Sequence, residues 1–143
     1  MHCLPKTILL VDDMKSDNYL SSRVMRKVCP DCGITTRQGG QEALDYLNGE
    51  GTGQRQFPDL ILLDINMPRV SGWDFLDRFK LLPEAVRKRT VVCMLTTSRS
   101  QEDRQKAARY PIIKKFLTKP LTMDAAREAL TVYASTMEAR SAG

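Results

Sequence analysis

No apolar segment in the sequence approaches the roughly 20 residues that a membrane-spanning helix requires, and the amino terminus, MHCLPKTILLVDD, lacks the charged-then-apolar layout of a secretory signal. Both absences point to a cytoplasmic chain. Cysteine is sparse. Cys3, Cys29, Cys32 and Cys93 are too few for a secreted disulfide scaffold in 143 residues of which 42% are hydrophobic, so reduced thiols are expected. Cys29 and Cys32 do form a C-x-x-C, but the second half of a zinc site is missing unless His2 and Cys3 supply it. Aromatic residues make up only 6% and do not interleave with basic ones, which argues against nucleic acid despite a net charge of +5. The basic residues gather instead in Arg87, Lys88 and Arg89 and again from Arg99 to Lys119, a distribution that suits a solvated face or an acidic protein partner. The glycine-rich stretch from Asn48 to Phe57 has no Gly-Lys-Ser/Thr ending, so it is a surface loop and not a phosphate cradle.

What is present is an alternation of short apolar runs and amphipathic stretches. TILLV (Thr7 to Val11), Ile34 to Arg37, LILL (Leu60 to Leu63), TVVCML (Thr90 to Leu95) and Lys115 to Thr118 read as strands. Helices are expected from a Ser16 or Asp17 cap to Val28, with Tyr19 or Leu20, Val24 and Val28 inward, then from Gly40 to Asn48 and from Ser71 to Leu82. A polar, basic helix from Gln101 to Tyr110 and a last one capped by Thr122, carrying Ala126, Leu130, Tyr133 and Met137 on one face, complete the set. Strand and helix alternate five times, which argues an α/β fold: one doubly wound parallel sheet with helices on both faces. The length fits a single domain over 1–143, with a core of about 6–138, short flexible termini and a mobile loop at about 48–57.

In such a sheet the strands' carboxyl ends share one edge, where ligand sites lie. That edge collects Asp12, Asp13, Asp64, Thr96 and Lys119. Clustered carboxylates repel one another unless their pKa values rise or a cation binds, and a donor set of oxygens alone suits magnesium. Lys119 and the Thr96 hydroxyl supply a compact positive charge and a donor for a phosphoryl group, and the Asp64 carboxylate can itself accept one as an acyl phosphate.

The motifs ILLVDD (Ile8 to Asp13), DLILLDINMPRVSGWDFL (Asp59 to Leu76), VVCMLTTS (Val91 to Ser98) and FLTKPLT (Phe116 to Thr122), in this order, resemble the receiver domain of bacterial two-component response regulators. The narrower likeness is to stand-alone regulators associated with phytochrome-like or hybrid histidine kinases. The resemblance implies a flavodoxin-like (βα)5 fold with strand order 2-1-3-4-5. It implies that Asp64 is phosphorylated by a sensor histidine kinase or histidine phosphotransfer protein, and that Asp12, Asp13, Asp64 and the backbone carbonyl of Asn66 hold Mg2+. Thr96 and Lys119 would contact the phosphoryl oxygens. Phe116 takes the position of the switch aromatic, where a tyrosine is often found. Asn66 and Ser98 fall where the family tunes water access, and Lys119-Pro120 would be cis. A regulator of this kind is not an enzyme beyond promoting its own phosphorylation and dephosphorylation. It signals to a downstream protein, with a homodimer through the fourth-helix, fifth-strand and fifth-helix face as one option.

Three other readings remain open at this point, one of them a flavodoxin-like cofactor binder, against which a colourless purified protein would count. An aspartyl-nucleophile phosphatase of haloacid dehalogenase type would need a second acid where Asn66 stands. A thiol switch would run through Cys29 and Cys32.

Overall fold

The computed structural model describes residues 3–51, 53–97 and 100–142. Five strands, β1 (Thr7–Val11), β2 (Gly33–Arg37), β3 (Leu60–Leu63), β4 (Val91–Thr96) and β5 (Ile113–Thr118), form one parallel sheet in the order β2-β1-β3-β4-β5. The helices are α1 (Lys15–Val28), α2 (Gly40–Leu47), α3 (Gly72–Phe79), α4 (Glu84–Arg87), α5 (Gln101–Ala107) and α6 (Met123–Ala142). Among the described residues, no helix is long and apolar enough to cross a membrane.

The strand runs are apolar at every position because both faces of the sheet are covered. Ile8, Leu10, Leu60, Leu62 and Cys93 pack on one face against Met25 of α1 and Ala126, Leu130 and Tyr133 of α6. The alternate residues, Leu9, Val11, Ile61, Leu63 and Met94, pack on the other face against Leu44 and Leu47 of α2 and Phe75, Leu76 and Phe79 of α3. Each fully buried side chain of this size stabilises the fold by about 1.5–3 kcal/mol relative to exposure, so the central strands are the rigid base from which the edge loops project.

The structure departs from the sequence expectations in four places. α1 has Met14 as its N-cap with no side-chain cap, so neither Ser16 nor Asp17 closes it, and it buries Asn18, Ser21, Ser22 and Met25 while Tyr19 and Leu20 are 57% and 53% exposed. A short α4 occupies the first basic run, where no element was expected. α3 ends at Phe79 instead of Leu82 and begins after Ser71, whose side chain accepts from the Asp74 N–H while the Ser71 N–H donates to the Asp74 carboxylate. Finally, Cys29 and Cys32 are joined in a disulfide between the end of α1 and β2, against the expectation of reduced thiols, while Cys3 and Cys93 are free. Thr122 does cap α6, accepting from the Ala125 N–H at 3.1 Å.

Candidate functional site

β1 delivers Asp12 and Asp13 to the carboxyl edge of the sheet, β3 delivers Asp64, β4 ends on Thr96, and Lys119 follows β5. The ladder fixes their heights. Val11 and Leu63 are register partners, the Asp64 N–H donates to Val11 O at 3.0 Å, and the Lys119 N–H donates to Thr96 O at 3.0 Å. Asp12 and Asp64 are 5% and 6% exposed, and Asp13 is half-buried. Carboxylate oxygens of Asp12, Asp13 and Asp64 all lie within 4.8 Å of one another.

The Lys119 ammonium enters this cluster from the side. It pairs with the Asp12 carboxylate and lies 3.3 Å from Asp64 Oδ2 and 3.2 Å from Asp17 Oδ2. One positive charge is therefore shared among three carboxylates, with Asp13 a further acid in the cluster. Burial raises the pKa of Asp12, with the Lys119 hydrogen bond and the Met14 N–H pulling only partly the other way. Burial likewise raises Asp64, offset in part by the charge of Lys119 and reinforced by that of Asp12. Burial alone would lower Lys119, but its hydrogen bond to Asp12 and the charges of Asp64 and Asp12 outweigh it and hold the ammonium above its ordinary value.

The raised pKa values show that the acids are short of compensating charge, which protonation or a second cation would supply. The cluster's donors are oxygens, two of its carboxylates are buried, and its one lysine is already shared. That donor set fits a hard divalent ion such as Mg2+.

Two residues of the site escaped the sequence reading. Asp17, expected only as a cap, sits in the first turn of α1 with its carboxylate 3.2 Å from Lys119 Nζ, a contact across 102 residues that no local spacing signals. The buried Asn18 amide donates to both Asp12 O and Arg37 O at 3.0 Å, tying the end of β1 to the end of β2. No signal in the sequence distinguished that asparagine from a surface one.

The loop after β3 is held by close backbone packing. The Gly72 N–H donates to Ile65 O at 2.8 Å, and a Cβ on Gly72 would run into Asp64 O and lie 3.0 Å from Ile65 Cα, so only glycine fits. Arg69 takes a positive φ of 66° within the same loop. Asn66 is exposed two residues beyond Asp64. Thr96 is 1% exposed, Phe116 is half-buried with the Arg104 guanidinium 5.3 Å from its ring centroid, and Lys119-Pro120 is cis. Ser98 and His2 lie outside the described residues.

A five-stranded parallel sheet in this order, with three acids and a lysine on one edge, defines a flavodoxin-like phosphoacceptor class of fold. Residues 8–131 match the response regulator receiver domain, and the chain belongs to that family. It is 36% identical over 100 residues to response regulator Rcp1 of Synechocystis sp., covering 69% of this chain and 67% of that one. A two component response regulator from Cytophaga hutchinsonii superposes with a TM-score of 0.80 at 28% identity over 95% of this chain and 99% of its own. The phosphorylated cyanobacterial phytochrome response regulator RcpA gives a TM-score of 0.70 at 28% identity over 93% and 91%. The Mn2+-bound form of a response regulator Rcp1 gives 0.69 at 28% identity over 94% and 96%. These relatives match the narrower likeness to phytochrome-associated regulators, and they give no support to a haloacid dehalogenase or thiol-switch reading.

Proposed function

We propose that the chain is a stand-alone, cytoplasmic receiver, one domain over 1–143, whose Asp64 accepts a phosphoryl group from a sensor histidine kinase or histidine phosphotransfer protein. The observation that carries this is the buried Asp64 carboxylate with Lys119 Nζ 3.3 Å away and two further acids within ion-sharing distance.

In the transfer, an Asp64 carboxylate oxygen bonds to phosphorus as the donor's phosphorus–nitrogen bond breaks. The electron pair stays on the imidazole nitrogen, which takes up a proton. Asp12, Asp13, Asp64 and the Asn66 carbonyl would hold Mg2+, which when bound offsets charge on the carboxylates and on the phosphoryl oxygens. Lys119 turns from Asp12 and Asp17 to a phosphoryl oxygen, and the Thr96 hydroxyl donates to another. The same groups, with Asn66 and Ser98 setting water access, would let the chain promote its own phosphorylation and dephosphorylation.

Movement of Thr96 toward the phosphoryl group opens space beneath Phe116, which carries the change to the face formed by α5, β5 and α6. That face is where a downstream protein, or a second copy of the chain, would read it. Tyr133 is in the core and Met137 packs half-buried against it, so a homodimer there would have to use other α6 residues.

The phosphodonor is a protein on this reading. The exposed Leu20 of α1 lines a small pocket with Asp17, Lys119, Pro120 and Leu121, an apolar contact beside the site that suits a docking protein better than a free metabolite.

Incubation with acetyl phosphate and Mg2+ tests the assignment. Wild-type protein should gain one acid-stable, base-labile phosphoryl group by intact mass, and Asp64→Asn should gain none. Equal labelling of the variant would refute it.

A further inference from the structure

Lys119 at the end of the second basic run serves the phosphorylation site, but Arg87 and Lys88 of the first run and Arg109 and Lys114 of the second have no part in it, and the fold brings those four together elsewhere. They meet at the amino edge of the sheet, around a cavity of about 420 Å3 between the carboxyl end of α3, α4, the turn leading into β5 and the end of α6. Its apolar wall is Leu76, Phe79, Tyr110 and Ile112. Six cations surround it: Lys80, Arg87, Lys88, Arg109, Lys114 and Arg140.

The acids nearby are few and already engaged. Glu84 lies 3.5 Å from Lys88, and Asp77 accepts from the Tyr110 hydroxyl at 2.8 Å and sits 3.5 Å from Lys80. Arg109 and Lys114 are exposed, and among the described residues neither has a carboxylate within 4.0 Å. The patch is therefore strongly positive around an apolar pocket.

A phosphate-bearing small molecule would want converging donors, and the geometry does not provide them. α3, α5 and α6 all present their carboxyl ends here, the negative ends of their dipoles, and the one N-terminus at the pocket is that of the four-residue α4, which carries the acid Glu84. The Arg87 Nε donates to Leu82 O at 2.9 Å, and Arg140 donates to Lys88 O and Thr90 O at 2.9 Å each, so these guanidinium groups are turned into the main chain. What remains is a diffuse ring of charge with one apolar hole. That pattern complements an extended acidic chain with a single bulky apolar anchor.

We propose that this cavity is a docking site for an acidic segment of a partner protein, which inserts one aromatic or large aliphatic side chain between Phe79 and Ile112. β4 spans six residues from this edge to Thr96, and at about 3.3 Å per residue the two sites are roughly 17 Å apart across a rigid strand. Docking here does not depend on the state of Asp64. It would hold a partner near the receiver whether or not the receiver is phosphorylated, leaving the α5-β5-α6 face to report state.

The test is selection from a displayed library of random twelve-residue peptides on the immobilised full chain, followed by fluorescence polarisation of the winners. Enriched peptides should carry several Asp or Glu residues around one Phe, Trp or Leu. Their affinity should fall at least tenfold in the double variant Arg109→Glu, Lys114→Glu, fall with added salt, and stay unchanged in Asp64→Asn, which separates this inference from the phosphorylation reading. Circular dichroism checks folding; if the charge reversal unfolds the chain, Arg109→Ala with Lys114→Ala should weaken binding at least threefold. Peptides without acidic bias, binding indifferent to both variants, no enrichment at all, or displacement of every winner by ATP would each overturn the proposal, the last in favour of a nucleotide.

Discussion

The acid cluster predicts how thermal stability responds to magnesium. At an effective dielectric of about 20, two carboxylates 4.8 Å apart repel by about 3.5 kcal/mol, an upper figure because Asp13 is half-exposed and screened. Lys119 offsets part of this for Asp12 and Asp64, but it is a single charge. A divalent ion that binds only the folded state adds about 2.7 kcal/mol when its free concentration is 100 times Kd. For a chain of this length each kcal/mol moves Tm by about 2–4 °C. Differential scanning fluorimetry should therefore show Tm rising by about 5–11 °C between EDTA and saturating MgCl2, with NaCl at matched ionic strength giving no such rise.

Asp13→Asn and Asp64→Asn should each lose most of that response. Because burial raises the Asp64 pKa, Asp64→Asn should melt no lower than wild type in EDTA. The sign with pH follows. An acid whose folded pKa is raised binds its proton more tightly when folded, so the stability it contributes is full below the unfolded value near 3.8 and is lost as pH rises through the folded value. The gain from Mg2+ should grow over that same range. A wild-type Tm indifferent to Mg2+, or an Asp64→Asn variant that responds as wild type does, would refute the reasoning.

Gly72→Ala should fail for a backbone reason: its Cβ meets Asp64 O and Ile65 Cα, neither of which is a flexible side chain. A loss of about 2 kcal/mol or more, seen as a fall of roughly 4–8 °C, should come with slower acetyl phosphate labelling, and an unchanged Tm would show that the loop yields freely. Burial, helped by Asp59 and Cys3, pushes the Tyr133 hydroxyl up to about 12. The folded state then holds this proton more tightly than the unfolded one, so its contribution to stability is full below pH about 10 and drains away as pH rises toward 12. Absorbance at 295 nm should show Tyr133 ionising only with alkaline unfolding, followed in parallel by circular dichroism, and ionisation of Tyr133 while the chain is still folded near pH 10 would count against it.

The sheet was legible in the sequence because its strands are buried on both faces. A run such as Leu60 to Leu63 needs no phase to be recognised, and the acid that ends it falls at the sheet edge by topology alone. The three acids and Lys119 followed from that edge rule, and the structure brings them together. Boundaries set by tertiary contacts did not follow. The short α4 is held by Val86 packing and by Thr90 Oγ1 donating to Pro58 O, a contact across 32 residues that no local pattern contains. Asp59 was equally opaque. It is a buried acid at the other edge, accepting from the Lys6 N–H at 2.7 Å, and in sequence it looks no different from a site carboxylate.

The helix that misled the reading is the one that serves the site most directly. The apolar rule would turn Tyr19 and Leu20 of α1 inward, but the inner face carries Asn18, Ser21 and Ser22 because two carbonyls at the ends of β1 and β2 need a donor there, and Asn18 supplies it. Arg37 O also accepts from the Asp12 N–H at 3.1 Å, but leaving Asp12 O without the Asn18 donor at a buried edge costs about 1–3 kcal/mol, comparable with what burying one Leu or Tyr would contribute. The polar face wins by making two hydrogen bonds with one amide. The displaced Leu20 then stands outside, in a small pocket with Asp17 and Lys119. An apolar pattern alone mispredicts such a helix because a hydrogen bond made at a buried strand end is worth as much as the burial it replaces.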